Sequence, residues 1–168
     1  DNYPTAVIFT PDGANLIIGY RDGQLEIWNI AEAAPRLVAA FRPHRVQIGN
    51  FAISPDGTLL AVAYSQNRVA LWDLRGGIEA VAPGDLLPSA RFVSSERLEF
   101  LRDGTLLGMF GSFGSLALWD VPARRLLDPR LEAAYFAESV LLSPDARTLV
   151  FTTDYDRELG FLDIDSGA

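Results

Sequence analysis

The chain has a single histidine, so any histidine-based chemistry depends on one residue. His44 lies in the segment RPHRVQIGN, and a general base or a Ser-His-Asp triad would have to use it. No Gly-x-Ser-x-Gly nucleophile elbow accompanies it. A zinc site is equally disfavoured, because the sequence contains no Cys and one His would need carboxylates as its co-ligands. Neither kind of chemistry has the partners it needs, so a structural role is the preferred interpretation of His44.

Acidic residues cluster in the last part of the chain. Asp154, Asp156 and Glu158 surround one turn, and paired carboxylates can perform acid–base chemistry. The sequence offers them neither a partner nor a substrate pocket, so a solvated turn is the preferred interpretation. The segment DIDSG, residues 163–167, partly matches an acidic calcium loop, but its Gly comes one position too early. We interpret that segment as the turn that leaves a strand.

Composition and spacing disfavour several further kinds of site. All 14 basic residues are Arg, so the chain can form neither a Lys-containing phosphate loop nor a Schiff base. The glycines of GMFGSFGS, residues 108–115, lack the spacing of a dinucleotide loop. The net charge of −8 argues against nucleic acid or an anionic membrane as the main partner. We expect no cofactor and no metal, and the cytoplasm is the favoured compartment.

One pattern runs through the whole chain at a nearly constant interval. Similar stretches end at Trp28, Trp72, Trp119 and Leu162, which are 44, 47 and 43 residues apart. A turn Asp within each stretch, at positions 12, 56, 103 and 145, recurs at intervals of 44, 47 and 42 residues. A period in the low forties is typical of an array of small, similar units that pack on one another.

Each unit has the composition of a small antiparallel sheet. An apolar run precedes a turn such as TPDG or SPDG, in which Pro, Asp and Gly favour a tight reversal. Two further apolar runs follow, and they are near-continuous, which indicates strands covered on both faces. A weaker fourth strand is predicted at 36–41, 78–83 and 125–130. We name the four strands of a unit a to d in chain order.

These units predict an all-β protein made of β-propeller blades. Four-stranded sheets that stack radially bury both of their faces and leave only short edges. We expect about fifteen strands in four repeats, with almost no helix. The units are expected at about 5–41, 44–82, 90–128 and 134–168, and together they form one propeller segment over 1–168.

The repeats resemble those of the WD-repeat β-propeller family. The resemblance rests on FTPDGANLIIGYRDGQLEIWN, SPDGTLLAVAYSQNRVALWDL, RDGTLLGMFGSFGSLALWD and SPDARTLVFTTDYDRELGFLD. The family usually has an Asp six residues before the Trp, in the turn between strands b and c. Asp22 and Asp156 match that position, whereas Gln66 and Phe113 depart from it. The family's His before strand a matches His44, although the Gly that usually precedes it is replaced by Pro.

The resemblance also implies which residues are structural and which bind partners. The Asp residues of the b–c turns and the Trp residues of strand c, packed between blades, are expected to be structural: Asp22, Asp156, Trp28, Trp72 and Trp119. Tyr and Arg are common in interface hot spots. The b–c turns and the segment before the second unit are expected to converge on one binding face: Tyr20, Arg21, His44, Arg45, Tyr64, Gln66, Arg68, Phe113, Tyr155 and Arg157. For Phe113, packing onto a neighbouring blade is an equal alternative.

The resemblance implies a non-enzymatic scaffold that binds other proteins or peptides, because WD-repeat propellers mostly act in this way. Two alternatives stay open. The first is a sensory or regulatory propeller domain of a larger protein, with its chemistry elsewhere. The second is a hydrolase with a site in the central channel, for which the sequence shows no set of ligands or nucleophiles.

The order of the strands bears on how a ring of blades would close. The first unit enters strand a almost at once, and the last unit stops just after strand c. Four blades are the lower limit for a propeller, and an open array would expose an apolar blade face at each end. We therefore expect further blades, supplied either by the same polypeptide or by a second copy that completes an eight-bladed ring.

Overall fold

The computed structural model describes residues 2–65, 68–76, 84–87, 97–101, 104–110, 116–127, 137–143, 145, 147–153 and 159–164. These residues form fifteen strands in four antiparallel sheets. They include no helix that is long and apolar enough to cross a membrane. The prediction of an all-β chain made of four small sheets is confirmed.

The sheets follow one another along the chain, and we number them as blades 1 to 4. Blade 1 contains β1 (Pro4–Phe9), β2 (Asn15–Tyr20), β3 (Leu25–Asn29) and β4 (Arg36–Phe41). Blade 2 contains β5 (Ile48–Ile53), β6 (Leu59–Tyr64), β7 (Arg68–Asp73) and β8 (Asp85–Leu86). Blade 3 contains β9 (Arg97–Leu101), β10 (Leu106–Phe110), β11 (Leu116–Asp120) and β12 (Arg125–Leu126). Blade 4 contains β13 (Ala137–Leu142), β14 (Thr148–Thr153) and β15 (Leu159–Asp163).

The turn between strands a and b is built by the same hydrogen bonds in three blades. In blade 1 the Thr10 hydroxyl donates to Asp12 Oδ1 (2.5 Å) and accepts a bond from the Asn15 N–H (3.0 Å). Asp12 Oδ1 also accepts a bond from the Ala14 N–H (2.9 Å). Blades 2 and 4 repeat this arrangement with Ser54 and Asp56 and with Ser143 and Asp145.

These turn carboxylates are therefore favoured in their charged form. The Ser or Thr hydroxyl bond, followed by the backbone N–H bond, holds the pKa of the carboxyl below its usual value in Asp12, Asp56 and Asp145. The glycine after the Asp adopts a left-handed conformation at Gly13 (φ 70°) and Gly57 (φ 72°), as the Pro-Asp-Gly pattern predicts.

Blades 1, 2 and 3 pack face to face around their first strands. β1 lies against β5 and β5 against β9. The Thr5 hydroxyl joins the first pair by donating to the Ile48 carbonyl oxygen (2.5 Å). One apolar core fills the space between blades 1 and 2, and a second fills the space between blades 2 and 3. The strands of blade 2 are therefore apolar on both faces, which explains their near-continuous apolar runs.

Each blade has a leading face towards the preceding blade and a trailing face towards the next. In blade 2 the leading face carries Leu60, Val62, Tyr64, Ala70 and Trp72, and the trailing face carries Ala61, Ala63, Val69 and Leu71. The Trp of strand c belongs to the leading face. Trp72 is fully buried and meets Phe41 of blade 1 edge-on, with ring centroids 5.4 Å apart. Trp119 is fully buried in the core between blades 2 and 3.

Two blade faces are left uncovered by the described residues. The leading face of blade 1 exposes Val7 (63%) and Phe9 (61%), and Trp28 on this face is only partly buried. The trailing face of blade 4 exposes Leu159 (61%) and Phe161 (65%). Trp28 thus differs from the expectation that all three Trp side chains pack between blades, because no described blade covers its face.

The outer strand of blade 2 lies later in the chain than expected. A strand was predicted at 78–83, which falls outside the described residues, and the unit was expected to end at about 82. The structure pairs β8 with β7, with Leu86 opposite Ala70 and Asp85 opposite Leu71. The Leu87 N–H continues the ladder by donating to the Val69 carbonyl oxygen (2.8 Å). Blade 2 therefore extends beyond residue 82, because these backbone bonds fix the position of strand d.

Candidate binding face

Three segments meet at one end of blades 1 and 2, and we name this region the loop face. It comprises the b–c turn of blade 1 (20–24), the connection between the blades (42–47), the end of β6 (64 and 65), Arg68 and the neighbouring Tyr3. Gly23 has a left-handed backbone (φ 84°), and a Cβ there would overlap the backbone carbonyl oxygen of His44. The Ser65 N–H donates to the Gln47 carbonyl oxygen (2.8 Å). The segments are therefore held together by backbone contacts.

Asp22 closes its own turn and pairs with an arginine of the next segment. Its Oδ1 accepts a bond from the Gln24 N–H (3.0 Å), which closes the turn. Its Oδ2 forms an ion pair with Arg42 (2.6 Å), and Arg42 also donates to Gln24 Oε1 (2.9 Å). Asp22 thus joins its turn to the connection before blade 2. Arg42 belongs to no motif, so only its position two residues before His44 could have indicated it.

His44 and Tyr64 pack together at the base of the loop face. Their rings meet edge-on, with centroids 5.0 Å apart. Tyr64 is 1% exposed, so it belongs to the core and does not lie at the surface with the other predicted contacts. Burial raises the pKa of Tyr64 to about 12, and the nearby Trp72 indole partly opposes this effect without forming a well-aligned hydrogen bond. His44 is half-buried and lies between Gly23 of blade 1 and the Tyr64 ring of blade 2.

Glu26 organises the polar part of the leading face of blade 1. Its carboxylate accepts bonds from the Tyr20 hydroxyl (2.9 Å), Gln24 Nε2 (2.7 Å) and Trp28 Nε1 (2.9 Å). Burial, and then the bond to Glu26, raises the pKa of Tyr20. Tyr20 is therefore engaged within blade 1. No motif in the sequence pointed to Glu26.

Blade 2 has the same aromatic pair without the carboxylate. Tyr64 and Trp72 occupy the positions that Tyr20 and Trp28 occupy in blade 1, 44 residues earlier, and Ala70 replaces the acid. The Tyr64 hydroxyl and Trp72 Nε1 are buried and have no hydrogen-bond partner among the described residues. An unsatisfied buried polar group costs about 1–3 kcal/mol. The buried polar atoms of blade 2 therefore lower the stability of the fold, whereas the equivalent atoms of blade 1 bind Glu26.

Four arginines are exposed on the loop face, and Arg42 is the one that pairs with Asp22. Arg21 lies over the ring of Tyr3, with its guanidinium carbon 5.3 Å from the centroid, and its Nη1 donates to the Tyr3 hydroxyl (2.9 Å). Arg45 and Arg68 extend into solvent from the neighbouring segments. The structure therefore places three exposed arginines of the predicted contact set at one end of blades 1 and 2.

Several predicted residues lie outside the described part of the chain: Gln66, Phe113, Tyr155, Asp156 and Arg157. The acidic turn of blade 4 and the end of the DIDSG segment also lie there. Within the described ranges, no group of three or more His, Cys, Asp and Glu could hold a metal ion. The side chains gathered on the loop face are suited to hydrogen bonding, ion pairing and aromatic contact.

The geometry defines the class of protein. Small antiparallel sheets that stack face to face around their first strands are the blades of a β-propeller. Residues 1–29 and 35–73 match the WD40 family model, described as "WD domain, G-beta repeat". The chain thus has the fold of β-propeller blades, and its first two blades match WD repeats.

Two known proteins show the extent of the similarity. The chain is 36% identical over 78 residues to Protein groucho of Drosophila melanogaster, a match that covers 46% of this chain and 11% of groucho. A chain in the crystal structure of the Mitotic Checkpoint Complex has the same fold, with a TM-score of 0.74 at 16% identity. That match covers 99% of this chain and 49% of the other. The chain therefore spans about a tenth of groucho and about half of the structural neighbour.

Proposed function

We propose that this chain is a non-enzymatic scaffold that binds proteins or peptides through the loop face. The observation that carries the proposal is the interlocking of three chain segments by Gly23, Asp22 and Ser65. A surface held by backbone contacts loses little conformational freedom when a partner binds, which favours affinity. Arg21 and Tyr3 are exposed on this surface and are residue types that dominate interface hot spots.

The comparisons support an interaction role without naming a partner. WD-repeat proteins are generally interaction scaffolds, and the structural neighbour was solved within an assembly called the Mitotic Checkpoint Complex. We infer that proteins or peptides are the partners, and that nucleic acid and membranes are not, given the net charge of −8. Further blades, in cis or from a second copy, would cover the open faces of blades 1 and 4.

Peptide selection tests this proposal. Peptides that bind the purified chain are selected from a random display library, and their affinities are measured for two double variants. Arg21→Ser with Arg45→Ser changes the loop face, whereas Arg75→Ser with Arg125→Ser removes the same charge at the opposite end of the blades. We expect the first variant to weaken binding by roughly tenfold, as for loss of charge-assisted hydrogen bonds. Equal losses in both variants, or loss only in the second, would reject the loop face.

A further inference from the structure

We propose that the loop face binds an acidic peptide segment, whose Asp or Glu carboxylates pair with Arg21, Arg45 and Arg68. This inference rests on the proposed function and specifies the chemistry of its partner. It starts from the positions of the charges. The chain as a whole is acidic, with 22 acidic against 14 basic residues, yet the loop face carries four arginines: Arg21, Arg42, Arg45 and Arg68.

The two described carboxylates nearest the loop face, Asp22 and Glu26, are already engaged. Asp22 pairs with Arg42 at 2.6 Å, and Glu26 accepts three hydrogen bonds from its own blade. Among the described residues, Arg21, Arg45 and Arg68 have no carboxylate partner. Among the residues that the structure describes, this surface therefore presents positive charge without a paired carboxylate.

The opposite end of the blades shows the contrast. There Arg75 pairs with Asp73, Arg124 with Asp85 (2.7 Å) and Arg125 with Asp120 (3.4 Å). The hydrogen bond from Arg75 lowers the pKa of Asp73 to about 2. These three exposed arginines are thus compensated locally, so an acidic partner gains less by binding beside them.

The geometry of Arg21 favours a carboxylate over a simple counter-ion. Its contact with the Tyr3 ring and hydroxyl fixes the guanidinium in place while leaving it exposed. A fixed guanidinium can form two parallel hydrogen bonds to a carboxylate with little loss of side-chain freedom. Tyr3, which is 47% exposed, offers an apolar ring beside the charge. An acidic segment that contains an aromatic residue matches both features.

A short peptide fits this surface better than a long polyanion. The basic area is confined to one end of two blades, and the rest of an acidic chain repels an extended polyanion such as DNA. A short segment stays within a Debye length, about 10 Å at 0.1 M salt, of the arginines. The proposal therefore commits to a peptide, and binding of nucleic acid is an outcome that would overturn it.

The test measures fluorescence polarisation of a short labelled peptide in which Glu alternates with Tyr, beside the same peptide with Gln for Glu. We expect the Glu peptide to bind more tightly, and its affinity to fall as NaCl rises from about 0.05 M to about 0.5 M. Arg45→Ser with Arg68→Ser should weaken binding by roughly tenfold. Arg75→Ser with Arg125→Ser, the control of equal charge, should leave binding unchanged.

Each other outcome counts against the proposal. Equal affinity for the Glu and Gln peptides, or an equal loss in the control variant, would show that the arginines do not select carboxylates. If a single-stranded oligonucleotide binds more tightly, and its binding depends on Arg45 and Arg68, the partner of the loop face is nucleic acid rather than a peptide. If the Glu peptide fails while library-selected peptides still depend on Arg21, the acidic partner is rejected and the scaffold function stands. If neither depends on the loop face, both proposals fall.

Discussion

At the scale of single residues, equivalent positions in two blades have different environments. Tyr20 and Tyr64 lie 44 residues apart in the same position of strand b, beside Trp28 and Trp72. Glu26 satisfies the polar atoms of the first pair, whereas Ala70 leaves those of the second pair buried without partners among the described residues. A comparison of the two blades therefore shows how much one carboxylate contributes to the stability of the fold.

Replacing each Tyr by Phe should change the free energy of unfolding differently in the two blades. Tyr64→Phe removes a buried hydroxyl without a partner, so the free energy of unfolding should rise by about 1 kcal/mol or stay unchanged. Tyr20→Phe removes the hydrogen bond to Glu26 and should lower the free energy of unfolding by about 1 kcal/mol. Urea unfolding of the two variants measures both values. A loss of stability in Tyr64→Phe as large as in Tyr20→Phe would show that the Tyr64 hydroxyl is satisfied.

At the scale of elements, local patterns were predicted well and tertiary partners were not. The Pro-Asp-Gly turns fold through bonds within six residues, such as Thr10 to Asp12, so the sequence is enough to identify them. The pairing of Arg42 with Asp22 joins residues far apart in the chain, and no local pattern signals it. Strand d of blade 2 is two residues long and pairs only by backbone bonds, so its position carried no side-chain signature.

The Asp residues of the a–b turns should make the free energy of unfolding depend on pH. The pKa of Asp56 is lowered in the folded chain, so its contribution is fully present above the unfolded value of 3.8 and is lost as pH falls through the folded value. Asp56→Asn should therefore be less stable than the wild type at about pH 6, with the difference shrinking towards about pH 3.

Glu32→Gln, which removes a charge from an exposed connection of blade 1, is the control and should show no such trend. Denaturant unfolding at a series of pH values measures both variants. A constant difference between Asp56→Asn and the wild type across this range would mean that the charge of Asp56 does not hold the turn.

At the scale of the whole molecule, the main unusual feature is the set of apolar side chains exposed on the two open blade faces. Val7, Phe9 and Leu37 are exposed on the leading face of blade 1, and Leu141, Leu159 and Phe161 on the trailing face of blade 4. The corresponding faces between blades 1, 2 and 3 are buried in the two apolar cores. The partial burial of Trp28 could not be predicted from its motif, because it depends on what covers the blade rather than on the repeat itself.

The isolated chain should therefore associate through its open faces. We expect light scattering to give a mass above that of the monomer, because exposed contiguous apolar faces favour contact. Leu159→Ser with Phe161→Ser should shift the mass towards the monomer, whereas Tyr3→Ser with Leu86→Ser, which changes exposed residues elsewhere, should not. A stable monomer that does not aggregate would show that the four blades need no covering partner.

The most direct test of the central claim, that partners bind at the loop face, is amide hydrogen exchange with and without a library-selected peptide. We expect slower exchange at residues 20–24 and 42–47, where the b–c turn and the connection between blades meet. The a–b turns at 10–15 and 54–59, at the opposite end of the same blades, should be unchanged. Protection confined to those a–b turns, or to the open face around Phe161, would contradict the claim.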